Sequence, residues 1–127
     1  TILHFDGSAW AEMQSGTEEW LRAVWGTSTT NVFAVGRGGT ILHFDGSSWT
    51  SMPSGTSESL RAVAGTSPTD VYAGGGGILL HFDGHAWAPV AEAQMGTSGA
   101  SVSGVWIDSD GTVIVVGYFG MILRGAR

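Results

Sequence analysis

One ten-residue stretch occurs three times in this chain. TILHFDGSAW occupies residues 1–10, TILHFDGSSW occupies residues 40–49, and a looser copy, ILLHFDGHAW, occupies residues 78–87. The histidines of the three copies fall in register, 39 and then 38 residues apart. A period of this length is typical of a chain that stacks one supersecondary unit several times, because a single unit is too small to bury its own apolar surface.

The repeat extends beyond this stretch. LRAVWGTSTTNVFAVG at Leu21–Gly36 matches LRAVAGTSPTDVYAGG at Leu60–Gly75, and VSGVWIDSDGTVIVVG at Val102–Gly117 is a weaker match. The closing MILRGAR resembles TILHFDG but lacks its His, its Phe and its Asp-Gly pair. We therefore treat the 127 residues as a single domain with three repeats, approximately 1–39, 40–77 and 78–120, and a leftover C-terminal strand, 121–127.

Each repeat has the pattern of four short β-strands. Runs of β-branched and aromatic residues are separated by turn-forming segments, and most of the 21 glycines fall in or beside those segments. The glycine clusters at 36–39 and 74–77 are predicted to be turns or bulges, and the Asp-Gly pair before Ser48 is a strong hairpin signal. No long stretch shows the apolar period of a helix, so we expect an all-β chain. In the first full repeat the predicted strands are Leu21–Trp25, Asn31–Val35, Thr40–Phe44 and Ser48–Met52.

Tandem four-stranded units of roughly 40 residues are typical of β-propeller blades. Each blade is a small antiparallel sheet that buries its faces against its neighbours. Trp10, Trp49 and Trp87 recur at one position just after each hairpin, and we expect them to pack between blades. The fold prediction is therefore an all-β β-propeller segment of about three four-stranded antiparallel blades.

The repeat also resembles a known family. The string AVWGTS(P/T)T(D/N)VFAVGRGGTILHFDGSSW is similar to a repeat found in tandem in bacterial β-propeller proteins, many of them predicted to be surface-exposed or secreted. The resemblance implies a propeller fold, a general binding role and an extracytoplasmic or secreted location. The third repeat departs from the family pattern, so the resemblance is weaker there.

The chain carries too few strands to close a propeller. It contains roughly thirteen, a little over three blades, whereas closed propellers have about four to eight blades. A single copy would expose two apolar blade faces and unpaired strand edges. We expect copies to join in a ring, a homodimer with about six blades being favoured over other rings or a longer propeller chain. At that seam we expect TILHFDG to take the third-strand position and MILRGAR to be displaced.

Charge and composition exclude several partners. The net charge is −6 with only five basic residues, which argues against nucleic acid, since binding there needs a basic surface. No apolar run approaches the ~20 residues of a membrane span, so no membrane insertion is expected. The absence of cysteine excludes disulfides and thiolate chemistry. No residue pattern points to a cofactor.

The recurring His-Phe-Asp motif is the most tempting chemical signal. His and Asp two residues apart on a strand share a face, so each pair resembles a base and its orienting carboxylate, and three histidines suggest a metal. Equivalent positions on different blades lie too far apart for one metal, and no nucleophile recurs beside the histidine. We therefore expect no enzyme activity. The motif residues are expected to be structural, with the histidine hydrogen-bonded between blades and the aspartate in the turn: His4, His43, His81, Asp6, Asp45 and Asp83.

Two arginines and three tryptophans are the candidate ligand contacts. Arg22 and Arg61 lie on the predicted innermost strands, where they either line the channel mouth or pair with a carboxylate of the next blade, such as Asp45 or Asp83. Trp20, Trp25 and Trp106 do not recur in every repeat, so they are better candidates for ligand contacts than the invariant tryptophans. The predicted function is a non-enzymatic scaffold that binds a protein or a glycan. A multivalent lectin and a piece of a longer propeller without independent function are the alternatives.

Overall fold

The computed structural model describes residues 1–90, 101–117 and 122–126, and it confirms the all-β prediction. Apart from a 3₁₀ turn at Arg37–Gly39, the regular elements of the described residues are thirteen strands. None of these elements is a helix long and apolar enough to cross a membrane. The strands are β1 (Ile2–Phe5), β2 (Trp10–Met13), β3 (Leu21–Ser28), β4 (Asn31–Gly36), β5 (Ile41–Phe44), β6 (Trp49–Met52), β7 (Leu60–Ser67), β8 (Asp70–Gly75), β9 (Ile78–Phe82), β10 (Trp87–Pro89), β11 (Val102–Ile107), β12 (Thr112–Gly117) and β13 (Ile122–Ala126).

The strands form four antiparallel sheets in chain order. Strands β3 to β6 form the first complete blade and strands β7 to β10 form the second. They are preceded by the N-terminal hairpin, β1 and β2, and followed by the C-terminal sheet, β11 to β13. The register of β1 on β2 repeats that of β5 on β6, so the hairpin is the outer half of a blade, and the C-terminal sheet is the inner three strands of another. The third-repeat boundary at residue 120 lies outside the described residues.

Aspartate and glycine close the hairpin at one end of each blade. Asp45 Oδ1 accepts hydrogen bonds from the backbone N–H groups of Ser47 and Ser48, at 2.8 and 3.0 Å. Gly46 has a φ of 102°, a conformation that costs glycine little because it has no Cβ. Asp6 and Asp83 make the same bonds in their own hairpins. The aspartate of the motif therefore lies in the turn, as expected from the sequence.

The glycine clusters form the connections at the opposite end, which we call the Arg37 end. A Cβ added to Gly36 would lie 2.0 Å from the carbonyl oxygen of Trp20, and one on Gly75 would lie 1.8 Å from that of Ser59. These glycines are required because the chain entering the first strand crosses directly over the end of the second strand. The glycine cluster thus lets two connections touch at this end of each complete blade.

Two apolar layers hold the two complete blades and the C-terminal sheet together. The first lies between the two complete blades, where Phe33 packs edge-on against Phe82 and Trp87 with ring centroids 5.7 and 5.9 Å apart. The second lies between the second complete blade and the C-terminal sheet, and it centres on Tyr72 and Val102. Each fully buried large side chain contributes about 1.5–3 kcal/mol, so these layers are the main source of stability. The buried members of the first layer are Phe33, Val35, Ile41, Leu60, Val63, Val71, Ala73, Leu80, Phe82 and Trp87.

The same repeat position is buried inside the arc and exposed at its ends. Leu80 is 1% exposed between blades, whereas Leu3, its equivalent in the N-terminal hairpin, is 57% exposed. At the other end of the arc, Ile41 is fully buried and its equivalent Ile122 on β13 is 72% exposed. The described arc therefore has two open apolar blade faces. Within one chain, β13 pairs with β12 and occupies the third-strand position of its sheet. Its expected displacement by β1 would require a second copy, so it stays a prediction.

Candidate functional site

An exposed aromatic and a cation meet at the Arg37 end of the first complete blade. The guanidinium carbon of Arg37 lies 5.0 Å from the centre of the Trp20 ring, close enough for a cation–π contact. The backbone N–H of Arg37 donates to the carbonyl of Trp20 at 2.9 Å, which ties the two connections together. The Glu19 carboxylate lies beside Gly38, 3.6 Å from where a Cβ would be. We call Glu19, Trp20, Arg37 and Gly38 the Trp20 corner.

Local backbone bonds explain why this corner forms. Leu21 pairs with Gly36, so the residues just outside that pair, Trp20 and Arg37, must lie side by side. In the connection before Trp20, the Thr17 hydroxyl accepts a hydrogen bond from the backbone N–H of Glu19 at 3.1 Å. The backbone around the corner is therefore held in place before any ligand arrives.

The second complete blade keeps the backbone of this corner and its glutamate, Glu58, but not its aromatic or its cation. Gly76 donates to the carbonyl of Ser59 at 3.1 Å, the counterpart of the bond between Arg37 and Trp20. Ser59 and Gly76 replace the aromatic and the cation, so the chemistry of the corner belongs to the first blade alone among the two complete blades. The sequence predicts Trp20 as a ligand contact but places Arg37 in a glycine turn. The strand pairing of Leu21 with Gly36 was the signal that could have joined them.

The corner presents a flat apolar surface with both charges beside it. Trp20 is 66% exposed, which leaves most of one ring free to stack on a ligand. A tryptophan flanked by an arginine and a carboxylate is suited to contact a peptide or a ring-shaped polar ligand, since it combines burial, a cation and a hydrogen-bond acceptor.

Arg22 and Arg61 occupy bulges at the start of the innermost strands. The strand register shifts between Leu21 and Ala23 and again between Leu60 and Ala62, which leaves the two arginines as the extra residues. Such bulges re-aim a side chain, and Arg22 is exposed next to the Trp20 corner. The proposed partners Asp45 and Asp83 lie at the other end of the blades and accept backbone bonds of their own hairpins, so the strand order does not bring them to either arginine.

The repeated histidines join strands within a blade. His43 Nε2 lies 2.7 Å from Asn31 Oδ1, and the Asn31 side-chain amide donates to the Thr27 hydroxyl at 2.8 Å. His81 Nε2 lies 2.8 Å from Asp70 Oδ1, and the other oxygen of Asp70 accepts from the Thr66 hydroxyl. The expectation of a bond between blades is therefore corrected, because both partners lie on the neighbouring strand of the same sheet. The third motif histidine, His4, is exposed on the N-terminal hairpin.

The electrostatics of these groups are those of structural contacts. Burial lowers the pKa of His43 and of His81, and the nearby Asp45 and Asp83 carboxylates only partly oppose this. Backbone N–H groups hold the pKa of Asp45 and of Asp83 below the usual aspartate range. Each of the two histidines is hydrogen-bonded to a side chain that also makes a hydrogen bond with a threonine hydroxyl. Among the described residues no cluster of His, Asp or Glu is arranged to hold a metal ion.

The structure does not bring the candidate tryptophans into one site. Trp25 lies half-buried in the layer between the complete blades, with its ring against Gly65. Trp106, its equivalent on the C-terminal sheet, is exposed on the open face of that sheet. The repeat-invariant tryptophans differ by place in the arc: Trp87 is buried between blades, Trp49 is half-buried and Trp10 is exposed.

A cleft separates the N-terminal hairpin from the first complete blade. Its volume is about 290 Å³, and most of its lining is apolar. Val24, exposed here, has a buried equivalent, Val63, at the interface between the complete blades. The cleft therefore marks where the inner strands of a neighbouring blade would pack. Its lining residues are Ile2, Leu3, His4, Met13, Val24, Ser28, Thr29, Val32, Phe44 and Trp49.

Four-stranded meanders packed face to face through their apolar layers define an arc of a β-propeller, and solved structures share this fold. YCF48 from Cyanidioschyzon merolae, a β-propeller, aligns with 98% of this chain and 44% of its own length, with a TM-score of 0.77 and 20% identity. YCF48 bound to D1 peptide aligns with 98% of this chain and 43% of its own, with a TM-score of 0.77 and 19% identity. The chain thus spans less than half the length of these propellers. In sequence, neither a protein-family model nor a curated protein matches it.

Proposed function

We propose that this chain is a non-enzymatic β-propeller scaffold that presents the loops of its Arg37 end to a protein partner. The observation that carries the proposal is the Trp20 corner, an exposed indole held beside a guanidinium on a backbone that needs no rearrangement. Rigid aromatic and arginine side chains contribute most of the binding energy in typical protein interfaces. That a propeller of the same fold has been solved with a bound peptide supports a protein as the class of partner.

The arrangement of the histidines supports a non-enzymatic role. A general base must have a lone pair free to reach its substrate, and a nucleophile must lie within hydrogen-bond reach of it. The Thr66 hydroxyl donates to the carboxylate of Asp70 and not to the imidazole, and the bonds from Thr66 to Asp70 and from Asp70 to His81 link adjacent strands of one sheet. We infer that the recurring motif stabilises each blade and carries no chemistry.

A peptide array tests the role of the corner. The probe is an array of short synthetic peptides of varied sequence, read with the unmodified chain and with Trp20→Ala. We expect a subset of peptides to bind, and we expect the substitution to weaken that binding at least roughly 30-fold, the loss seen on truncating a central interface aromatic. Arg37→Ala should weaken the same peptides.

Ser47→Ala is the matched control, because Ser47 is exposed in the hairpin at the opposite end of the same blade. Equal peptide binding by Trp20→Ala and the unmodified chain would overturn the proposed site. A glycan array read with the same variants tests the lectin alternative. Glycan binding that depends on Trp20, with no peptide binding, would replace the protein partner by a carbohydrate.

We further propose that copies of the chain complete the propeller ring through their open blade faces. At both ends of the arc, residues are exposed at repeat positions that are buried inside the arc. Inside the arc these positions are covered by the next blade, which supports covering by another copy at the ends. Light scattering coupled to size-exclusion chromatography tests it. We expect a mass of about twice the 13.2 kDa of one chain, and a folded monomer at all concentrations would contradict it.

A further inference from the structure

We propose that the seam between copies is a strand exchange, in which β11 and β12 of one copy and β1 and β2 of a second copy form one four-stranded blade. In this blade β1 takes the place that β13 holds in the single chain. The inference rests on the proposed self-assembly. It further specifies that β1 pairs with β12 of another copy and that β13 is displaced. The occupant of each open face is therefore a second copy of this chain.

The two incomplete sheets complement each other strand for strand. The C-terminal sheet supplies the inner pair, β11 and β12, and the N-terminal hairpin supplies the outer pair, β1 and β2. Ile2 pairs with Met13 just as Ile41 pairs with Met52 in the first complete blade. Two copies also match most of the length of the solved propellers, since one copy covers 44% of such a chain.

Large and small side chains alternate across the blade interfaces. Between the two complete blades, the Trp25 ring lies against Gly65, so that a Cβ on Gly65 would be 2.7 Å from the ring. We call the repeat position of Trp25 the tryptophan position and that of Gly65 the glycine position. At the interface between the second complete blade and the C-terminal sheet the sizes are reversed, with Ala64 at the tryptophan position and Ile107 at the glycine position.

The seam continues this alternation. Trp106 is the tryptophan-position residue of the C-terminal sheet, and it is exposed. The first complete blade offers Gly26 at the glycine position, also exposed. Joining the C-terminal sheet of one copy to the first blade of another therefore places a large ring over a glycine, as Trp25 and Gly65 do inside the chain.

The polar residues behind the motif histidine also fit the seam. In the second complete blade the histidine partner is Asp70 and the hydroxyl is Thr66. In the C-terminal sheet the two residue types exchange places, with Thr112 at the aspartate position and Asp108 at the threonine position. A carboxylate and a hydroxyl are thus present at these two positions, where β13 places Arg124 at the histidine position and β1 would place His4.

β13 is a poorer third strand than β1. Gly125 stands on β13 where Phe44 and Phe82 are buried in the complete blades, whereas β1 has Phe5 at that position. β1 also leads into the Asp-Gly hairpin and a fourth strand, β2. The exchange replaces a third strand with glycine at this buried position by one with phenylalanine, which gives it a direction.

Two matched pairs of variants test the exchange by solution mass in the full chain. Trp10 and Trp20 are 67% and 66% exposed in one copy, so Trp10→Glu and Trp20→Glu should perturb a single copy equally. Because only Trp10 lies in the proposed seam, we expect Trp10→Glu to weaken self-association at least roughly 30-fold and Trp20→Glu to leave it unchanged.

The second pair tests which strand leaves. Leu3 on β1 and Ile122 on β13 are 57% and 72% exposed in one copy. We expect Leu3→Glu to abolish the dimer and Ile122→Glu to keep it. A dimer sensitive to Ile122→Glu but not to Leu3→Glu would overturn the exchange while leaving self-assembly standing. A chain that is monomeric without any substitution would overturn both, and peptide binding at Trp20 is measured independently of either result.

Discussion

One atom distinguishes the histidine partners of the two complete blades. Asn31 offers His43 an amide oxygen, whereas Asp70 offers His81 a carboxylate at nearly the same distance, 2.7 against 2.8 Å. Burial lowers the pKa of both histidines. A carboxylate in direct contact stabilises the imidazolium, which an amide cannot do, so we expect His81 to keep a higher pKa than His43.

NMR titration of the ring nitrogens measures this difference. Asp70→Asn should lower the pKa of His81 toward that of His43, and Asn31→Asp should raise the pKa of His43. The two variants exchange the partners between blades and so serve as controls for each other. Equal histidine pKa values in the unmodified chain, unchanged by Asp70→Asn, would show that the carboxylate does not control the titration.

The hairpin aspartates should make stability fall in acid. The pKa of Asp45 is lowered by the backbone N–H groups of Ser48 and Ser47, so its contribution is fully present above the ordinary value of 3.8 and is lost as pH falls through the lowered folded pKa. The histidines also make stability fall as the pH is lowered, but at a higher pH. Because the pKa of His43 is lower in the folded state, the unfolded state binds the proton first as the pH drops below 6.5.

Asp45→Asn isolates the aspartate contribution. The asparagine oxygen still accepts the turn hydrogen bonds but does not titrate. The urea concentration at the unfolding midpoint should therefore fall less in the variant than in the unmodified chain when the pH is lowered below the ordinary aspartate pKa. Asp45→Ala, which also removes the acceptor, should lower the midpoint at neutral pH as well. An acid profile identical in all three chains would rule out this role for Asp45.

At the scale of single elements, a glycine contact controls how each blade enters its first strand. A Cβ on Gly75 would lie 1.8 Å from the Ser59 carbonyl oxygen, so Gly75→Ala must move the backbone. We expect a loss near the upper end of the ~1–3 kcal/mol that overpacking costs. Gly55→Ala is the control, since nothing lies within 4 Å of its Cβ and only its φ of 77° is strained. Chemical denaturation measures both, and an equal loss would contradict the contact.

The strands were predictable because pattern and turn chemistry agree along the repeat. The expected strand Leu21–Trp25 is observed as Leu21–Ser28, and Asn31–Val35 as Asn31–Gly36, so the differences are a few residues at strand ends. Alternation of apolar residues and the Asp-Gly pair act locally, and the identical repeats reinforce them.

The polar contacts were less predictable because they depend on register between strands. Sequence spacing alone did not show that His43 reaches Asn31 on the adjacent strand, so its partner was expected on another blade. Arg37 was missed for the same reason, since its meeting with Trp20 follows from the pairing of Leu21 with Gly36. Contacts fixed by pairing register need the sheet to be known first.

At the scale of the whole molecule, one repeat position reports on assembly. Leu80→Ala removes a side chain that is 1% exposed and should cost about 2–5 kcal/mol at any protein concentration. Leu3→Ala, at the equivalent position on the N-terminal hairpin, should cost little in dilute solution. If copies bury Leu3, its cost should rise with protein concentration, because association stabilises the folded state by mass action.

Urea unfolding at two protein concentrations about 100-fold apart distinguishes these cases. Leu80→Ala is the reference, since its site is already covered within one chain. A cost for Leu3→Ala that stays small and constant would indicate that the hairpin remains exposed at both concentrations.

The exposure of Trp20 at one end of the blade has a consequence for valency. Copies that close head to tail rotate about the channel, so every copy turns its Arg37 end to the same side of the ring. A two-copy ring would then hold two indoles on opposite sides of a single entrance. A target carrying two matching segments on a tether of suitable length would dwell there far longer than either segment alone, because release of one leaves the other attached.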